Sequence, residues 1–198
     1  MSQPFYVPSL GAHQPRRATP LTRWFGRTIL KLYGWRIEGE VPDLAKYMLV
    51  LAPHTSNWDF VFSISAMLAI GLEAHWFAKQ EIFIWPFRKL LKALGGIAVN
   101  RGAAHGMINE VVKDINRREK FVLTITPEGT RSKVEQWKPG FYWIAEKAQL
   151  PMQLGWWDYQ RKVFGLGPMV YPTGGRKADI PKIQAFYQQD WAKYPDEF

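Results

Sequence analysis

The sequence contains no cysteine, and this absence excludes several kinds of chemistry at once. Disulfide bonds, thiolate metal sites and a cysteine nucleophile all require thiols. A chain without cysteine is compatible with the reducing conditions of the cytoplasm. The sequence also lacks a Gly-x-Ser-x-Gly pentapeptide, which counts against a serine esterase.

Long hydrophobic runs are missing as well. The longest apolar stretch, residues 60–72, is too short to cross a bilayer. The first twenty residues contain four prolines and no apolar segment of the kind that marks a secretory signal. We therefore expect a protein that has no transmembrane span and no secretory leader.

Acidic residues are scarce relative to basic ones. The chain has 26 Lys and Arg against 17 Asp and Glu, a formal net charge of +9, and no acidic residue occurs before Glu38. This charge suits nucleic acid and an anionic membrane surface equally well. The ten tryptophans favour the lipid interface, where an amphipathic ring is stable.

Length and composition indicate one folded domain. A chain of 198 residues with 47% hydrophobic residues can build a substantial core. Short strand patterns alternate with helical patterns, which predicts a largely parallel sheet with helices on its faces. The predicted strands are 47–52, 74–78, 97–99, 121–125, 151–157 and 163–171. The predicted helices include 60–72, 105–118, 141–149 and 178–194.

The N-terminal segment, residues 1–36, is predicted to be separate from the main domain, residues 37–198. Residues 1–19 are proline-rich and suggest a loosely held arm. From Pro20 a helical pattern begins, with basic side chains opposite an apolar arc. The arc contains Leu21, Trp24, Phe25, Ile29, Leu32 and Trp35, and the basic residues are Arg23, Arg27 and Lys31. Such a helix is typical of a membrane-surface anchor, although it could equally cover one side of the core.

The main candidate for catalysis is a histidine in a polar turn. His54 follows an apolar strand, and Asp59 lies five residues later at the start of an apolar helix. A carboxylate one helical turn away can fix the tautomer of the imidazole and stabilise its protonated form. The other ring nitrogen could then take a proton from a hydroxyl group. Because no serine completes a triad, the nucleophile would be a hydroxyl of the substrate. The alternative is that Asp59 only caps the helix.

Two further polar motifs follow predicted strands. Asn100-Arg101 follows the third strand, and Glu128-Gly129-Thr130-Arg131 follows the fourth. Ligands bind beyond the carboxyl ends of strands in open α/β sheets, and arginine is well suited to phosphate. Gly129 would let a backbone N–H approach such an anion closely. Alternatively, Arg101 is a surface residue and Thr-Pro-Glu-Gly is an ordinary β-turn.

Together these motifs resemble the lysophosphatidic acid acyltransferase family over about residues 45–175. Four blocks occur in the family's order, namely His54–Asp59, Gly96–Arg101, Pro127–Ser132 and Leu150–Pro151. The resemblance implies a glycerolphosphate-acyltransferase-like fold, which is a single three-layer domain with a mostly parallel mixed sheet. It also implies that His54 and Asp59 are catalytic. Substrate binding is then expected from Arg101, Glu128, Gly129, Thr130 and Arg131, and no metal site is expected.

The reaction implied by the resemblance is acyl transfer to the free hydroxyl of a lysophospholipid, in the first place 1-acylglycerol-3-phosphate. The acyl donor would be a thioester, either acyl-CoA or acyl carrier protein, and no cofactor is expected beyond this co-substrate. Such an enzyme would sit peripherally on the cytoplasmic face of a membrane and would not bind nucleic acid.

Departures from the family pattern leave the acceptor open. Pro53 stands where many members have Asn, Asn100 replaces a common acidic residue, and the fourth block lacks a second proline. Another lysolipid, such as an amino-acid lipid, therefore remains a possible acceptor. Three different functions also stay open at this stage, namely a basic nucleic-acid-binding module, a fatty-acid-releasing hydrolase and a non-catalytic lipid-surface protein.

Overall fold

The protein folds around a seven-stranded sheet. The structure is a computed structural model that describes residues 5–17, 19–99 and 104–198. The described strands lie in the order β1-β7-β6-β2-β5-β3-β4. The strands are β1 (Arg36–Gly39), β2 (Lys46–Leu51), β3 (Ala74–Lys79), β4 (Gly96–Val99), β5 (Phe121–Ile125), β6 (Met152–Asp158) and β7 (Val163–Val170).

The sheet is mostly parallel. Strands β2 to β6 run in one direction, whereas β7 pairs antiparallel with β6 and β1 pairs parallel with β7. The carboxyl ends of five strands therefore meet at one edge, which we call the carboxyl edge. The predicted α/β class and the mostly parallel mixed sheet are confirmed.

Helices cover both faces of the sheet and make it the middle of three layers. The helices are α1 (Pro20–Leu32), α2 (Asn57–Ile70), α3 (Phe87–Ala93), α4 (Ala104–Arg117), α5 (Gly140–Lys147) and α6 (Arg176–Gln184). One core cluster joins α1 and α2 to the sheet, and a second joins α4, α5 and α6 to it. Burying apolar side chains on both faces stabilises such a layered domain.

Strand β2 is central, and its sequence explains its position. Five of its six residues are buried, and it pairs with β5 on one side and β6 on the other. A parallel strand that is covered on both faces is apolar without alternation, as Tyr47 to Leu51 is. The strand delivers the chain to Pro53 and His54 at the carboxyl edge.

Helix α2 follows directly and is well capped. The Ser56 side chain accepts a hydrogen bond from a backbone N–H of the first turn, Asp59 completes a capping box, and Gly71 ends the helix in the left-handed conformation (φ 88°). The helix is apolar on every side. One side packs on the sheet and on α1, whereas Phe60, Val61 and Ile64 line a cavity.

Helix α1 begins at Pro20 as predicted, and the face that it buries lies outside the predicted apolar arc. It packs on α2 through Gly26 and Leu30. A Cβ atom at Gly26 would lie 2.5 Å from the Ser65 carbonyl oxygen, so only glycine permits this close crossing. The predicted apolar arc instead faces solvent over most of its length. Its exposed members are Leu21, Trp24, Phe25 and Leu32.

The N-terminal residues and the C-terminal end differ from the sequence expectation. Residues 5–17 lie against the domain. Gln14 is buried there, and the backbone of Arg16 forms an isolated antiparallel β-bridge with Leu72. The expected long terminal helix ends at Gln184, and two short 3-10 turns follow it. Strand β1 was not predicted, because its four residues carry no apolar run. No helix in the described part of the chain is long and apolar enough to cross a membrane.

Candidate active site

The carboxylate of Asp59 is held by four hydrogen-bond donors at the start of α2. Its Oδ2 lies 3.0 Å from His54 Nδ1 and accepts the backbone N–H groups of Thr55 (3.0 Å) and Ser56 (2.8 Å). Its Oδ1 accepts the hydroxyl of Tyr159 at 2.5 Å. Asp59 is fully buried. Hydrogen bonds from so many donors satisfy the buried charge and fix the carboxylate in one orientation.

This arrangement sets the state of the His54 ring. Because Nδ1 faces Asp59, the ring carries its proton on Nδ1 and leaves Nε2 as an acceptor. The side chain is 16% exposed and lines the large cavity of the protein, with Trp157 beside the ring. A hydroxyl group placed in the cavity can therefore reach a basic nitrogen. The predicted pairing of His54 with Asp59 is present in the structure.

Glu128 ties the third polar motif to the histidine turn. Its two carboxyl oxygens lie 2.9 and 3.1 Å from the backbone N of His54, which donates to them. The side chain is 3% exposed and borders a second, smaller cavity rather than the one that His54 lines. Burial, aided by the nearby Asp59 charge, raises the pKa of Glu128 to about 8. This position favours a role for Glu128 in holding the histidine turn in place, rather than in contacting substrate.

Replacing Glu128 by glutamine should change how stability depends on pH. The pKa of Glu128 is raised from 4.5 in the unfolded chain to about 8 in the folded one. The stability that this shift contributes is present below the unfolded value and is lost as pH rises through about 8, at a cost of a few kcal/mol. Glutamine cannot ionise and can still accept the His54 N–H. Urea unfolding from about pH 5 to pH 9 should therefore show a flatter profile for Glu128→Gln.

The exposed Glu135→Gln variant is the control for this measurement, because it removes a carboxyl seven residues away without touching His54. Its unfolding profile should parallel that of the wild type. Parallel profiles for Glu128→Gln and the wild type would contradict the raised pKa.

The turn that contains Gly129 forms the polar rim of the His54 cavity. Gly129 has a φ of +67°, and the Lys138 side chain lies so close that an added Cβ would be 3.0 Å from its Cδ. Thr130 and Arg131 line the same cavity, and Arg131 is exposed to it. The described members of the third motif therefore lie at the same edge as His54. Arg101 lies outside the described residues.

The cavity has a volume of about 1140 Å³ and a lining that is mostly apolar with several basic groups. Its polar and basic members include Thr126, Arg131, Lys138, Arg17 and Lys79. Apolar side chains of α2, β3, α3 and the neighbouring loops form most of its wall. These include Phe60, Val61, Ile64, Leu68, Trp76 and Leu91. The cavity is larger than the range of about 300–1,000 Å³ that is usual for small-molecule sites. A long apolar group with a polar, anionic head would match this lining.

Two residues near the site are not part of any sequence motif. Tyr159 reaches Asp59 from the end of β6, one hundred residues away in the sequence. Lys138, which belongs to none of the four sequence blocks, lies over Gly129. The sole hint in the sequence is that Lys138 stands just before the Pro139-Gly140 start of α5. No group of His, Asp and Glu among the described residues could hold a metal ion.

Comparison with known proteins gives two matches and one negative result. A family model described as acyltransferase matches residues 36–154. Among solved structures, the 1-acyl-sn-glycerophosphate (LPA) acyltransferase from Thermotoga maritima has the same fold, with a TM-score of 0.59 over 84% of this chain and 78% of that one. The two sequences are 17% identical. No curated protein matches the chain significantly.

Proposed function

The chain belongs to the acyltransferase family, and we propose that it transfers a fatty acyl group from a thioester to the free hydroxyl of a lysophospholipid, with His54 as general base. The observation that carries this proposal is the His54–Asp59 pair, whose histidine lines a large cavity with mostly apolar walls and several basic side chains. Family membership also decides between the classes that the basic charge left open, in favour of an enzyme over a nucleic-acid-binding module.

The proposed chemistry needs one proton acceptor. His54 Nε2 takes the proton of the acceptor hydroxyl while that oxygen attacks the carbonyl carbon of the thioester. The C–S bond then breaks, and the imidazolium returns the proton to the thiolate that leaves. Asp59 stabilises the imidazolium meanwhile, because its Oδ2 stays in contact with Nδ1. No acyl-enzyme and no cofactor is required.

The cavity supports the assignment of the donor and acceptor classes. Its apolar wall along α2 can exclude water from a fatty acyl chain. Its rim offers Arg131 and Lys138 to the phosphate of a lysophospholipid, which an arginine binds through paired hydrogen bonds. We therefore favour a phosphate-bearing acceptor such as 1-acylglycerol-3-phosphate over an amino-acid lipid. Acyl-CoA and acyl-acyl carrier protein are both suitable donors.

Product identification tests this function directly. The purified protein is incubated with acyl-CoA or acyl-acyl carrier protein that carries a labelled acyl group. Each donor is combined, in separate reactions, with 1-acylglycerol-3-phosphate, with other lysophospholipids and with a lyso amino-acid lipid. We expect a diacyl product and free thiol in equal amounts, with the phosphate monoester as the best acceptor. Release of free fatty acid in place of an acylated lipid would identify a hydrolase and contradict the proposal.

The exposed arc of α1 is proposed to hold the enzyme on the membrane surface. Leu21, Trp24, Phe25 and Leu32 face solvent, and the basic residues Arg27 and Lys31 flank them. An amphipathic helix of this composition inserts its apolar side between lipid headgroups, and its basic side attracts anionic lipid. The proposed location is therefore peripheral, on the cytoplasmic face.

The double variant Trp24→Ser, Phe25→Ser should weaken binding to anionic vesicles by about 10-fold, because both rings are more than half exposed and lose their lipid contact. Cosedimentation with vesicles measures the effect. Point substitution is preferable to deletion of residues 1–36, since Leu30 and Trp35 belong to the core. Tyr171→Ser, which alters an exposed aromatic residue outside α1, should bind as the wild type does. Equal binding of all three proteins would refute the anchor.

A further inference from the structure

A second exposed apolar surface lies between β3 and β4 and shares no residue with α1. We call residues 82–92 the 82–92 segment; it comprises the end of a 3-10 turn and most of α3. Trp85 is 89% exposed, and four other large apolar side chains of the segment are also exposed. These four are Ile82, Ile84, Phe87 and Leu90. Phe83 alone is buried, and it contacts Trp76. A cluster of this kind is uncommon on the surface of a soluble domain and marks an interaction site.

The charge around this cluster indicates the partner. Arg88, Lys89 and Lys92 are interspersed with the apolar residues, and no acidic residue occurs from Ile82 to Val99. All three basic residues are exposed. Tryptophan with arginine and lysine around an apolar patch suits the interface of an anionic bilayer, where the rings reach the acyl boundary and the cations reach the phosphates.

The segment is also part of the wall of the large cavity. Ile82 and Leu91 line the cavity from this side, and Leu94 continues the wall beyond α3. One side of the segment therefore faces solvent with apolar side chains while the other lines the cavity. A lipid chain that leaves the bilayer here would pass from one apolar environment to another without crossing water.

We propose that the 82–92 segment inserts into an anionic lipid bilayer and forms the entry through which acyl chains reach the cavity. The entry role rests on the proposed function, whereas the membrane contact does not. This contact adds to the one proposed for α1: the two share no residue, and Arg17, just before α1, donates to the Ala93 carbonyl just after the segment at 2.9 Å.

The absence of cysteine allows a direct test. Ile84→Cys carries the only thiol of the variant protein and can be labelled with an environment-sensitive fluorophore. Vesicles of phosphatidylglycerol and phosphatidylcholine in equal parts should shift its emission to shorter wavelength. The same label at Glu119→Cys, an exposed position before β5 at the opposite edge of the sheet, should not respond. Pure phosphatidylcholine vesicles or high salt should reduce the shift.

A double variant and a control variant measure the contribution of the 82–92 segment to vesicle binding. Trp85→Ser, Phe87→Ser should weaken cosedimentation with anionic vesicles by about 10-fold, with Tyr171→Ser as the control. A label at residue 84 that stays in water while the protein cosediments would overturn the proposal and leave α1 as the contact. A shift that depends on protein concentration without vesicles would overturn it in favour of a second copy of the chain.

Activity is measured separately, with short-chain substrates in solution. The Trp85→Ser, Phe87→Ser variant should retain wild-type turnover on these, because they need no bilayer. Loss of vesicle binding with retained turnover on these substrates supports the membrane contact, and slower turnover on long-chain substrates held in vesicles supports the entry role. Wild-type protein that inserts the label but transfers no acyl group would count against the proposed function only.

A second, independent inference concerns Tyr159, which lies beyond the residues that the acyltransferase model matches. Its hydroxyl donates to Asp59 Oδ1, the oxygen that His54 does not contact. Burial and the negative charge of Asp59 raise the pKa of Tyr159, so the hydroxyl keeps its proton and remains a donor. The ring packs edge-on against Trp35, and its backbone N donates to the Trp191 carbonyl. Both contacts hold the hydroxyl in place.

We infer that Tyr159 is a positioning residue. It orients Asp59 and limits how strongly Asp59 stabilises the protonated His54 imidazole. Without this hydrogen bond the carboxylate would be freer to turn and would concentrate its charge toward His54. The other titratable groups that face this pair are Glu128, on the turn after β5, and Tyr194 on the C-terminal segment.

Tyr159→Phe keeps the ring and removes only the hydroxyl. We expect kcat to fall about 10-fold with the acceptor KM unchanged. The acidic limb of the pH–rate profile should move to higher pH by roughly half a unit, because a more basic carboxylate stabilises the protonated imidazole. Tyr194→Phe, which removes a neighbouring hydroxyl, should leave the limb in place. A lower kcat with an unmoved acidic limb would assign Tyr159 a purely structural role and overturn the inference.

Discussion

His54→Ala should abolish acyl transfer while the protein stays folded. The variant removes the only basic atom that the His54–Asp59 pair offers to the acceptor hydroxyl. Proton transfer by a positioned side chain contributes about 10²–10⁴-fold to rate, so kcat should fall by about the same factor. Single-turnover measurement of acyl transfer to 1-acylglycerol-3-phosphate detects a change of this size. Binding of the acceptor should change little, because the side chains at the rim are untouched.

The fold should tolerate this substitution for a structural reason. Asp59 keeps the backbone N–H donors of Thr55 and Ser56 and the hydroxyl of Tyr159, so its buried charge stays satisfied. The loss is therefore confined to one partly exposed ring. Circular dichroism and the thermal midpoint of unfolding should remain close to those of the wild type.

The chain supplies its own control for this experiment. His13 Nδ1 lies 3.0 Å from Asp43 Oδ2, the same distance as in the His54–Asp59 pair, but both side chains are exposed and away from the cavity. His13→Ala should keep full activity. Turnover at the wild-type rate in His54→Ala would end the proposed mechanism, whatever the behaviour of the His13 variant.

Arg131→Ala should act mainly on the acceptor. A hydrogen bond between charged groups contributes about 1.5–3 kcal/mol, which corresponds to a rise of about 10–100-fold in the KM for a phosphate-bearing acceptor. The effect on kcat should be within a few-fold, because Arg131 lies at the rim and the proton acceptor is unchanged. Steady-state kinetics with varied acceptor and saturating donor measure the two constants separately.

Two further variants make this result specific. Arg131→Lys keeps the charge but loses the planar fork, so it should recover only part of the affinity. Lys133→Ala removes a cation two residues away that lines the smaller cavity, and it should behave as the wild type. An unchanged acceptor KM in Arg131→Ala, or an equal loss with an acceptor that has no phosphate, would remove Arg131 from the phosphate site.

Much of the sheet could be predicted from local patterns. Strands from Lys46 onward are apolar runs bounded by turns, and each gives its own signal. Strand β1 gave none, since Arg36–Gly39 becomes a strand only by pairing with β7, far along the chain. The terminal helix was overextended because its apolar spacing continues past Gln184, whereas the chain there turns to place Tyr187 against the Val50 carbonyl.

Helix α1 shows the limit of periodicity. The pattern located its start and its apolar arc, but a helix with two usable faces does not reveal which one the protein buries. Gly26 and Leu30 lie outside the apolar arc, yet they form the contact with α2, which at Gly26 comes too close for any side chain. The apolar arc therefore faces solvent, and it is the surface that we propose contacts lipid.

The sequence by itself determined the class of sheet, the succession of strands and helices along the chain and the pairing of His54 with Asp59. These features depend on short-range spacing and on helix capping. Only the tertiary structure decided that Glu128 supports the His54 backbone, that Tyr159 reaches the second oxygen of Asp59 and that α2 borders a cavity. These contacts join residues 74 and 100 positions apart. No local pattern encodes them, since they follow from how the layers pack.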